Sequence, residues 1–382
     1  MKIFAYTEVY AHETVTFITN ELKCVQESHE LLFVYSERKN PSRYILKNMI
    51  NIPFRYNKIY NKIRWWLEQY EIYYTLYNFS FRSKINKVIN DFNPDIIHCH
   101  FGTDFLKIIS NLNNKNKKIP ILISFYGFDV TEKIRNKAIL IKYKQYLSLP
   151  NVYSTAVSKS LVDNINKYVN PYNPANVLNS GIDTDFYKRK SYKLKDEEFV
   201  FLQVSSFLEK KGHYFTLKAF KKFIELNTTY NYKFIIVGFG PLKNEIRQSI
   251  KEFELEKYVI MKESITPSEM VELASRVNCF VQMSVTAKNG DQEGLPNVLL
   301  EAMSLELPIM STFHAGIPEI VIDGENGILC EEKNIDQYVK AFSNITNWKI
   351  SARNRQRVVD KFSFQAHMNK LNEIYNDIHK KN

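Results

Sequence analysis

The sequence predicts an α/β protein built from two parallel-sheet domains, and three observations carry that expectation. Its 382 residues exceed what one typical core accommodates and suit two domains of ordinary size. Hydrophobic residues make up 45% and charged residues 24%, a globular rather than a disordered balance. Short apolar runs alternate with segments of helical period along most of the chain. That is the pattern of parallel strands with helices on both faces.

Taken in order, residues 2–6, 31–35, 96–101, 121–126 and 152–157 read as strands. Helices are predicted over 14–27, 63–92 with a break, 105–112 and 131–147. A second and cleaner set of strands covers 199–205, 233–238, 259–262, 279–283 and 308–312, with helices over 214–225, 242–253, 267–276 and 296–305. Between the sets, residues 187–198 interrupt the apolar pattern with Lys-Arg-Lys, Lys-Leu-Lys and an acidic run, which predicts the domain boundary. From about Arg353 the chain is amphipathic and free of Gly and Pro, so it reads as helical. The one biased segment is the Asn/Lys-rich loop at 111–118.

Composition excludes several classes. No apolar stretch reaches the roughly 20 residues that span a bilayer. The opening Met1-Lys2-Ile3-Phe4-Ala5-Tyr6 runs into Glu8 without the apolar core of a signal peptide, so a cytoplasmic location is expected. Cys24, Cys99, Cys279 and Cys330 are scattered, with no Cys-x-x-Cys or Cys/His cluster, which predicts reduced core thiols. The net charge of +11 invites an anionic membrane surface or a nucleic acid. No nucleic-acid-binding motif accompanies the charge. Instead Arg38, Lys39, Arg43, Lys47, Arg55, Lys58, Lys62 and Arg64 fall in an acid-free stretch. Trp65, Trp66, Tyr70, Tyr73, Tyr74 and Tyr77 follow. Two readings fit: an interfacial patch on the inner face of the cell membrane, or a basic surface whose aromatic side chains turn into the core.

The most informative chemistry lies in Glu293-Gly294-Leu295-Pro296-Asn297-Val298-Leu299-Leu300-Glu301. Pro296 suits a first helical position, since its ring presets φ and its missing N–H is not needed there. Glu293 then sits in the loop before a helix and Glu301 over a turn inside it. A helix N-terminus favours a phosphate-bearing ligand, and flanking carboxylates accept hydrogen bonds from hydroxyls. This combination suits a nucleotide sugar. On spacing alone the plainer reading leads, with Glu301 on a solvated helix face beside Asn297 and Ser304 and Glu293 a loop charge.

The surroundings reverse that order. Glu-x7-Glu, followed by Ala315-Gly316-Ile317-Pro318-Glu319 and preceded by Ser284-Val285-Thr286-Ala287 and Gly290-Asp291-Gln292, resembles the donor site of the retaining family 4 glycosyltransferases. Its wording is similar to the branch that builds bacterial exopolysaccharide, including colanic acid-type enzymes. The resemblance implies the GT-B fold, two Rossmann-like doubly wound domains facing across a cleft. Residues 1–187 would form the acceptor-side domain, with a C-terminal helix over about 365–382 packing back on it. Residues 188–364 would bind the nucleotide sugar. It implies transfer of a hexosyl unit from a UDP- or GDP-hexose to a hydroxyl of a polysaccharide or lipid-linked precursor, with retention and without a metal. No Asp-x-Asp motif stands in a suitable place, and no cofactor is implied. The alternatives are an epimerase or phosphorylase of the same fold, or a catalytically weak membrane-bound scaffold.

The resemblance also assigns further residues. Lys211, in Leu208-Glu209-Lys210-Lys211-Gly212, matches a lysine that holds the diphosphate. Ser206 stands where the family carries Arg, so Lys211, with Lys210 and helix N-termini, would carry the leaving group's charge. Gly238 and Gly240, in Val237-Gly238-Phe239-Gly240-Pro241, would border the nucleotide, and Gly294, Leu295, Pro296 and Asn297 would line the donor. Tyr126, in Ser124-Phe125-Tyr126-Gly127-Phe128-Asp129, replaces a histidine that contacts the donor sugar. A phenol can hydrogen-bond a hydroxyl but is a poor base at neutral pH. Asp129 is retained. His98 and His100 point to one face of a predicted strand, in a run like the family's His-x-His-Phe. Two histidines make no metal site without a third ligand. His12 and Thr14 open the first helix where relatives place an acceptor loop, so they and His100 are acceptor-side candidates.

Overall fold

The computed structural model describes residues 1–10, 16–39, 45–54, 66, 78–192, 194–195 and 197–382. It divides into two compact units, Met1–Gly181 together with His367–Asn382, and Ile182–Ala366.

In the first unit the elements run β1 (Lys2–Tyr10), α1 (Thr16–Ser28), β2 (Glu30–Arg38), β3 (Met49–Asn51), α2 (Phe79–Phe92), β4 (Ile96–His100), α3 (Gly102–Asn111), β5 (Ile121–Phe125), α4 (Phe128–Thr131), α5 (Lys137–Leu147), β6 (Val152–Ala156), α6 (Lys159–Tyr168) and β7 (Asn176–Val177). The strands form one sheet in the order β3-β2-β1-β4-β5-β6-β7, and all pairs are parallel. β4, β5 and β6 are buried at every position, as parallel strands covered on both faces must be. That double burial is why they read as continuous apolar runs.

The second unit repeats the plan. β8 (Glu198–Val204), α7 (His213–Leu226), β9 (Asn231–Val237), α8 (Lys243–Glu252), β10 (Val259–Lys262), α9 (Pro267–Ala274), β11 (Cys279–Val281), α10 (Asn297–Ser304), β12 (Ile309–Thr312), α11 (Ile317–Ile320), β13 (Gly327–Cys330), α12 (Ile335–Ile345) and α13 (Ala352–Phe362) follow one another. The sheet order is β10-β9-β8-β11-β12-β13, again all parallel. Its core is aromatic: Phe201, Phe220, Phe223, Phe234 and Phe342 pack between the sheet and helices α7 and α12. In both sheets the strand order reverses beside the first strand of the unit, at β1/β4 and at β8/β11. Ligands of doubly wound sheets bind outside the carboxyl ends of the strands at such a reversal.

Several boundaries differ from the sequence reading. The helix expected over 131–147 is broken, because Asn136 is extended and caps α5 by accepting from the Ile139 N–H. The C-terminal helical stretch breaks at Ser363, which is extended and bridges to Ile182; α14 (Phe364–Lys381) follows. Met368, Leu371, Ile374, Tyr375 and Ile378 of α14 lie in the core of the first unit with Ile18, Leu22 and Val25 of α1. Of the helix expected over 63–92, residues 63–65 and 67–77 lie outside the described residues, and α2 (Phe79–Phe92) forms its second half. Pro296 is the cap of α10 rather than its first residue; its ψ of 104° is extended and Asn297 opens the helix. No disulfide joins the four cysteines; Cys99, Cys279 and Cys330 are buried and Cys24 is half-buried. Arg43, Arg55, Lys58, Lys62, Arg64, Trp65 and the four tyrosines of the basic-aromatic stretch lie outside the described residues. Trp66 is 53% exposed, so it does not turn into the core. No described helix is long and apolar enough to cross a membrane.

Candidate active site

At the carboxyl edge of the second sheet the loops leaving β8 and β11 are adjacent, because those two strands pair. The β8 loop ends in the short 3-10 turn Glu209–Lys211 and Gly212. Gly212 adopts φ +68°, and a Cβ there would lie 1.8 Å from the Met283 carbonyl oxygen. Only glycine permits that approach, which carries Lys211 against the β11 loop. Gly238 plays a similar part after β9, where a Cβ would fall 1.9 Å from the Ser205 carbonyl oxygen. Ser206 is half-buried on the β8 loop.

Lys211 Nζ lies 2.6 Å from Glu293 Oε1, with both side chains largely buried. The same oxygen accepts from Gln282 Nε2 at 3.2 Å and from Ser284 Oγ at 3.1 Å, and Oε2 carries none of these contacts. Burial pushes the Glu293 carboxyl up, but Lys211 and then Lys210 outweigh it and hold it below its ordinary value. Lys210 reaches the other side of the β11 loop, 2.9 Å from Asp291 Oδ2 and 3.3 Å from the Gln292 carbonyl. The loop is closed from beyond β12 and β13. The Glu293 N–H donates to His314 Nε2 at 3.1 Å, and His314 Nδ1 lies 2.6 Å from Glu332 Oε1.

Gly294, Leu295 and Pro296 are buried and lead into α10. Glu301 is half-buried on that helix and takes a side-chain hydrogen bond from Tyr187. Burial dominates, and its carboxyl is pushed up to about 7. The face it shares with Asn297 and Ser304 is only partly solvated: Asn297 is half-buried, and Ser304 is fully buried and donates to the Tyr187 carbonyl at 2.7 Å. Asn297 Oδ1 is buried and finds no partner among the described residues.

In the first unit, Asp129 is fully buried and accepts from the N–H groups of Gly102, Tyr126 and Gly127 at 3.1, 3.2 and 3.0 Å. Burial still pushes its carboxyl up to about 6. It ties together the loops that leave β4 and β5. Tyr126 Oη lies 2.8 Å from His100 Nδ1, and burial keeps the phenol protonated, far above its ordinary value. His98 is held by Tyr375 Oη at 2.7 Å and Ser124 Oγ at 2.8 Å. Burial holds both histidines neutral, with pKa values of about 3. The Glu21 carboxylate converges with His98 and His100, a third group of the kind that a metal site built on the two histidines would need. Its other oxygen is 3.0 Å from His367 Nε2. Both ring nitrogens of His98 are already engaged, so the present bonds describe a histidine–carboxylate network. His12 and Thr14 lie outside the described residues.

The first half of the chain, residues 16–186, matches the family described as Glycosyltransferase Family 4, and residues 185–358 match Glycosyl transferases group 1. The chain belongs to the family 4 glycosyltransferases. WcaL of Escherichia coli K12, provisionally named a colanic acid biosynthesis glycosyltransferase, is 26% identical over 288 residues, 73% of this chain and 70% of its own. The N-acetyl-α-D-glucosaminyl L-malate synthase of Bacillus anthracis is 26% identical over 345 residues, 86% and 87% of the two chains. Among solved structures, HepE of Anabaena in complex with UDP-glucose superposes with a TM-score of 0.77 at 14% identity, over 99% of this chain and 100% of its own. The two parallel-sheet units thus have the GT-B fold, and the activity is glycosyl transfer.

For a glycosyltransferase of this family, the sequence pointed to Glu293, Glu301 and Lys211, and the structure brings Lys211 and Glu293 into contact. The sequence reading missed Gln282, His314 and Glu332, and named Ser284 only as part of the motif. His314 stands one residue before the quoted Ala315-Gly316-Ile317-Pro318-Glu319, and Glu332 follows a strand the apolar pattern did not reveal.

Proposed function

We propose that the crevice at the β8/β11 reversal holds a nucleoside diphosphate sugar, from which a hexosyl unit passes with retention to a hydroxyl of a polysaccharide or lipid-linked precursor. The observation that carries this reading is the convergence of Lys211 and Glu293 at the switch point of the sheet, beside the N-terminus of α10. Lys211, with the N–H groups that open α10, stabilises charge developing on the departing diphosphate. Ser206 contributes no charge, and Lys210 is engaged by Asp291. Gly238 and Gly240 form a backbone wall against the nucleotide, and Gly294, Leu295, Pro296 and Asn297 border the phosphates. Glu293 accepts hydrogen bonds from hydroxyls of the transferred sugar through Oε2, and Glu301 accepts those of the ribose.

In the reaction the bond from the anomeric carbon to the phosphate oxygen breaks, and the acceptor oxygen forms its new bond on the same face. The acceptor's proton moves to the departing phosphate oxygen. No side chain acts as nucleophile and no metal is required, so the protein's work is orientation and charge stabilisation. Tyr126 stays protonated and donates to the sugar or to His100, and Asp129 fixes the loop that bears it. His12, Thr14 and His100 belong to the acceptor side. UDP- and GDP-hexoses are the candidate donors. The name of HepE's complex favours UDP, and that of WcaL favours a polysaccharide acceptor. The basic-aromatic stretch that contains Trp66 suits a protein that works at the inner face of an anionic membrane.

The test is a kinetic split. Glu301→Ala is expected to weaken nucleotide binding, whereas Glu293→Ala costs turnover far more than nucleotide affinity. Equal and small effects from both would contradict the assignment.

A further inference from the structure

Three successive loops at the carboxyl edge of the second sheet are joined by a single hydrogen-bonded chain. Glu293 lies on the loop after β11, His314 on the loop after β12, and Glu332 on the loop after β13. His314 is buried, only 1% exposed, and its two ring nitrogens have different tasks. Nε2 accepts the Glu293 N–H at 3.1 Å, so in the neutral ring the proton sits on Nδ1, which donates to Glu332 Oε1 at 2.6 Å. Glu332 also accepts the Thr286 N–H at 2.7 Å through Oε2 and the Thr286 hydroxyl at 3.2 Å through Oε1. Gln292 Nε2 closes the circuit by donating to Thr286 Oγ1 at 3.0 Å. The β11 loop is thus gripped at Thr286 and at Glu293 by a carboxylate and an imidazole from other loops.

A buried imidazole in this setting is costly unless both nitrogens are satisfied, and here both are. The ordinary explanation, a histidine that merely fills space, accounts for neither the tautomer nor the choice of partner. The amide it grips belongs to Glu293, whose Oε2 has no hydrogen-bond partner among the described residues.

We propose that His314 and Glu332 are positioning residues for donor-sugar chemistry, fixing the Glu293 backbone so that its carboxylate meets the sugar hydroxyls in register. The inference rests on the reading of Glu293 as the sugar-contacting residue. Neither residue touches the substrate. A loosened Glu293 costs catalysis because displacement of a positioning group by about 1 Å costs on the order of 100-fold in rate. Nucleotide binding, carried by Glu301, Lys211 and the start of α10, is left intact.

The experiment uses the full chain and measures release of nucleoside diphosphate from the UDP- or GDP-hexose that most raises its melting temperature. Alongside it, titration calorimetry measures affinity for the free nucleoside diphosphate. His314→Phe keeps the ring without its nitrogens and is expected to lower kcat about 100-fold, with nucleotide affinity within about threefold of the wild type. His314→Gln can accept through Oε1 and donate through Nε2, and is expected to recover at least a tenth of the wild-type rate. In a Glu293→Ala background, His314→Phe is expected to add no further loss, since coupled residues are not additive. If His314→Phe does not fold, Glu332→Gln at a half-buried position carries the same test, with a smaller fall in kcat and unchanged affinity. A kcat within threefold of the wild type, or equal loss of kcat and affinity, would overturn the positioning role. If Glu293→Ala itself turns over normally, or the wild type releases no nucleoside diphosphate, the reading beneath the proposal falls instead.

Discussion

Lys211 Nζ and Glu293 Oε1 are 2.6 Å apart, although 82 residues separate them in sequence. Their contact exists because β8 and β11 are neighbours in the sheet, and the loops that leave them must meet. Removing one member of a buried ion pair leaves the other charge uncompensated, at a cost of about 3–5 kcal/mol. Lys211→Ala is therefore expected to lower thermal stability by that order and to lose roughly 2–4 kcal/mol of transition-state stabilisation. The double variant Lys211→Ala/Glu293→Gln is expected to regain the stability but not the turnover. Calorimetric melting and initial rates check the two halves separately. Ser206→Arg is expected to leave activity intact or raise it.

The ribose-binding role proposed for Glu301 predicts a pH dependence of nucleotide affinity. Its carboxyl is raised to about 7 by burial, partly offset by Tyr187, and a ribose hydroxyl is better received by the ionised form. Affinity for a nucleotide sugar, whose diphosphate keeps its charge across this range, is expected to fall as pH drops from 8 to 6. The limit is about tenfold per pH unit once the pH is below the raised value. Glu301→Gln is expected to bind more weakly at pH 8 and to show a flat profile. An unchanged slope in Glu301→Gln would remove the carboxylate from the nucleotide site.

The first unit carries a different pH signature. Burial lowers the His367 pKa, but Glu21 outweighs it and holds the imidazole above its ordinary value. Burial raises Glu21, and His367 followed by His98 brings it below its own. The histidine's contribution is fully present below its unfolded value of about 6.5 and is lost as pH rises through the raised folded value. The glutamate's is present above its unfolded value of about 4.3 and is lost as pH falls through its lowered one. His367→Gln is expected to destabilise by about 3–5 kcal/mol at pH 6 and by less at pH 9, when read by chemical denaturation.

Much of this was legible in the chain. The buried strands announced themselves because parallel strands covered on both faces must be continuously apolar. The Glu-x7-Glu segment stood out through the resemblance of its surroundings to the family's donor site, since on spacing alone the plainer reading led. What could not be read were features created by pairing. β13 is four residues long and opens with Gly327; only its register against β12 makes it a strand. Glu332 follows it, and nothing local relates it to His314. β3 is three residues at a sheet edge inside a basic stretch whose pattern is not that of a strand. The break in the helix expected over 131–147 was encoded by Asn136, whose capping side chain competes with the helix interior. The solvated face that the plainer reading gave Glu301 is in fact largely covered, because the packing at Tyr187 comes from far away in sequence.

Attachment to membranes is checked by co-sedimentation with vesicles. The full chain is expected to sediment with anionic but not neutral vesicles, and to be released as salt rises from 0.1 M to 1 M, over which the Debye length falls from about 10 Å to 3 Å. Trp66, 53% exposed, is expected to shift its fluorescence to the blue on binding. Equal recovery on both vesicle types, or none on either, would leave an enzyme that meets its acceptor in solution.

The most direct measurement is titration calorimetry of UDP-glucose, UDP-galactose, UDP-N-acetylglucosamine and GDP-mannose into the wild-type chain and Glu301→Ala. The donor-site assignment predicts that at least one nucleotide sugar binds with a stoichiometry of one, and that Glu301→Ala weakens it by about tenfold or more, the worth of a hydrogen bond to a charged group. Binding of equal strength in the two proteins, or no binding by any of the four, would contradict a donor site at the β8/β11 reversal.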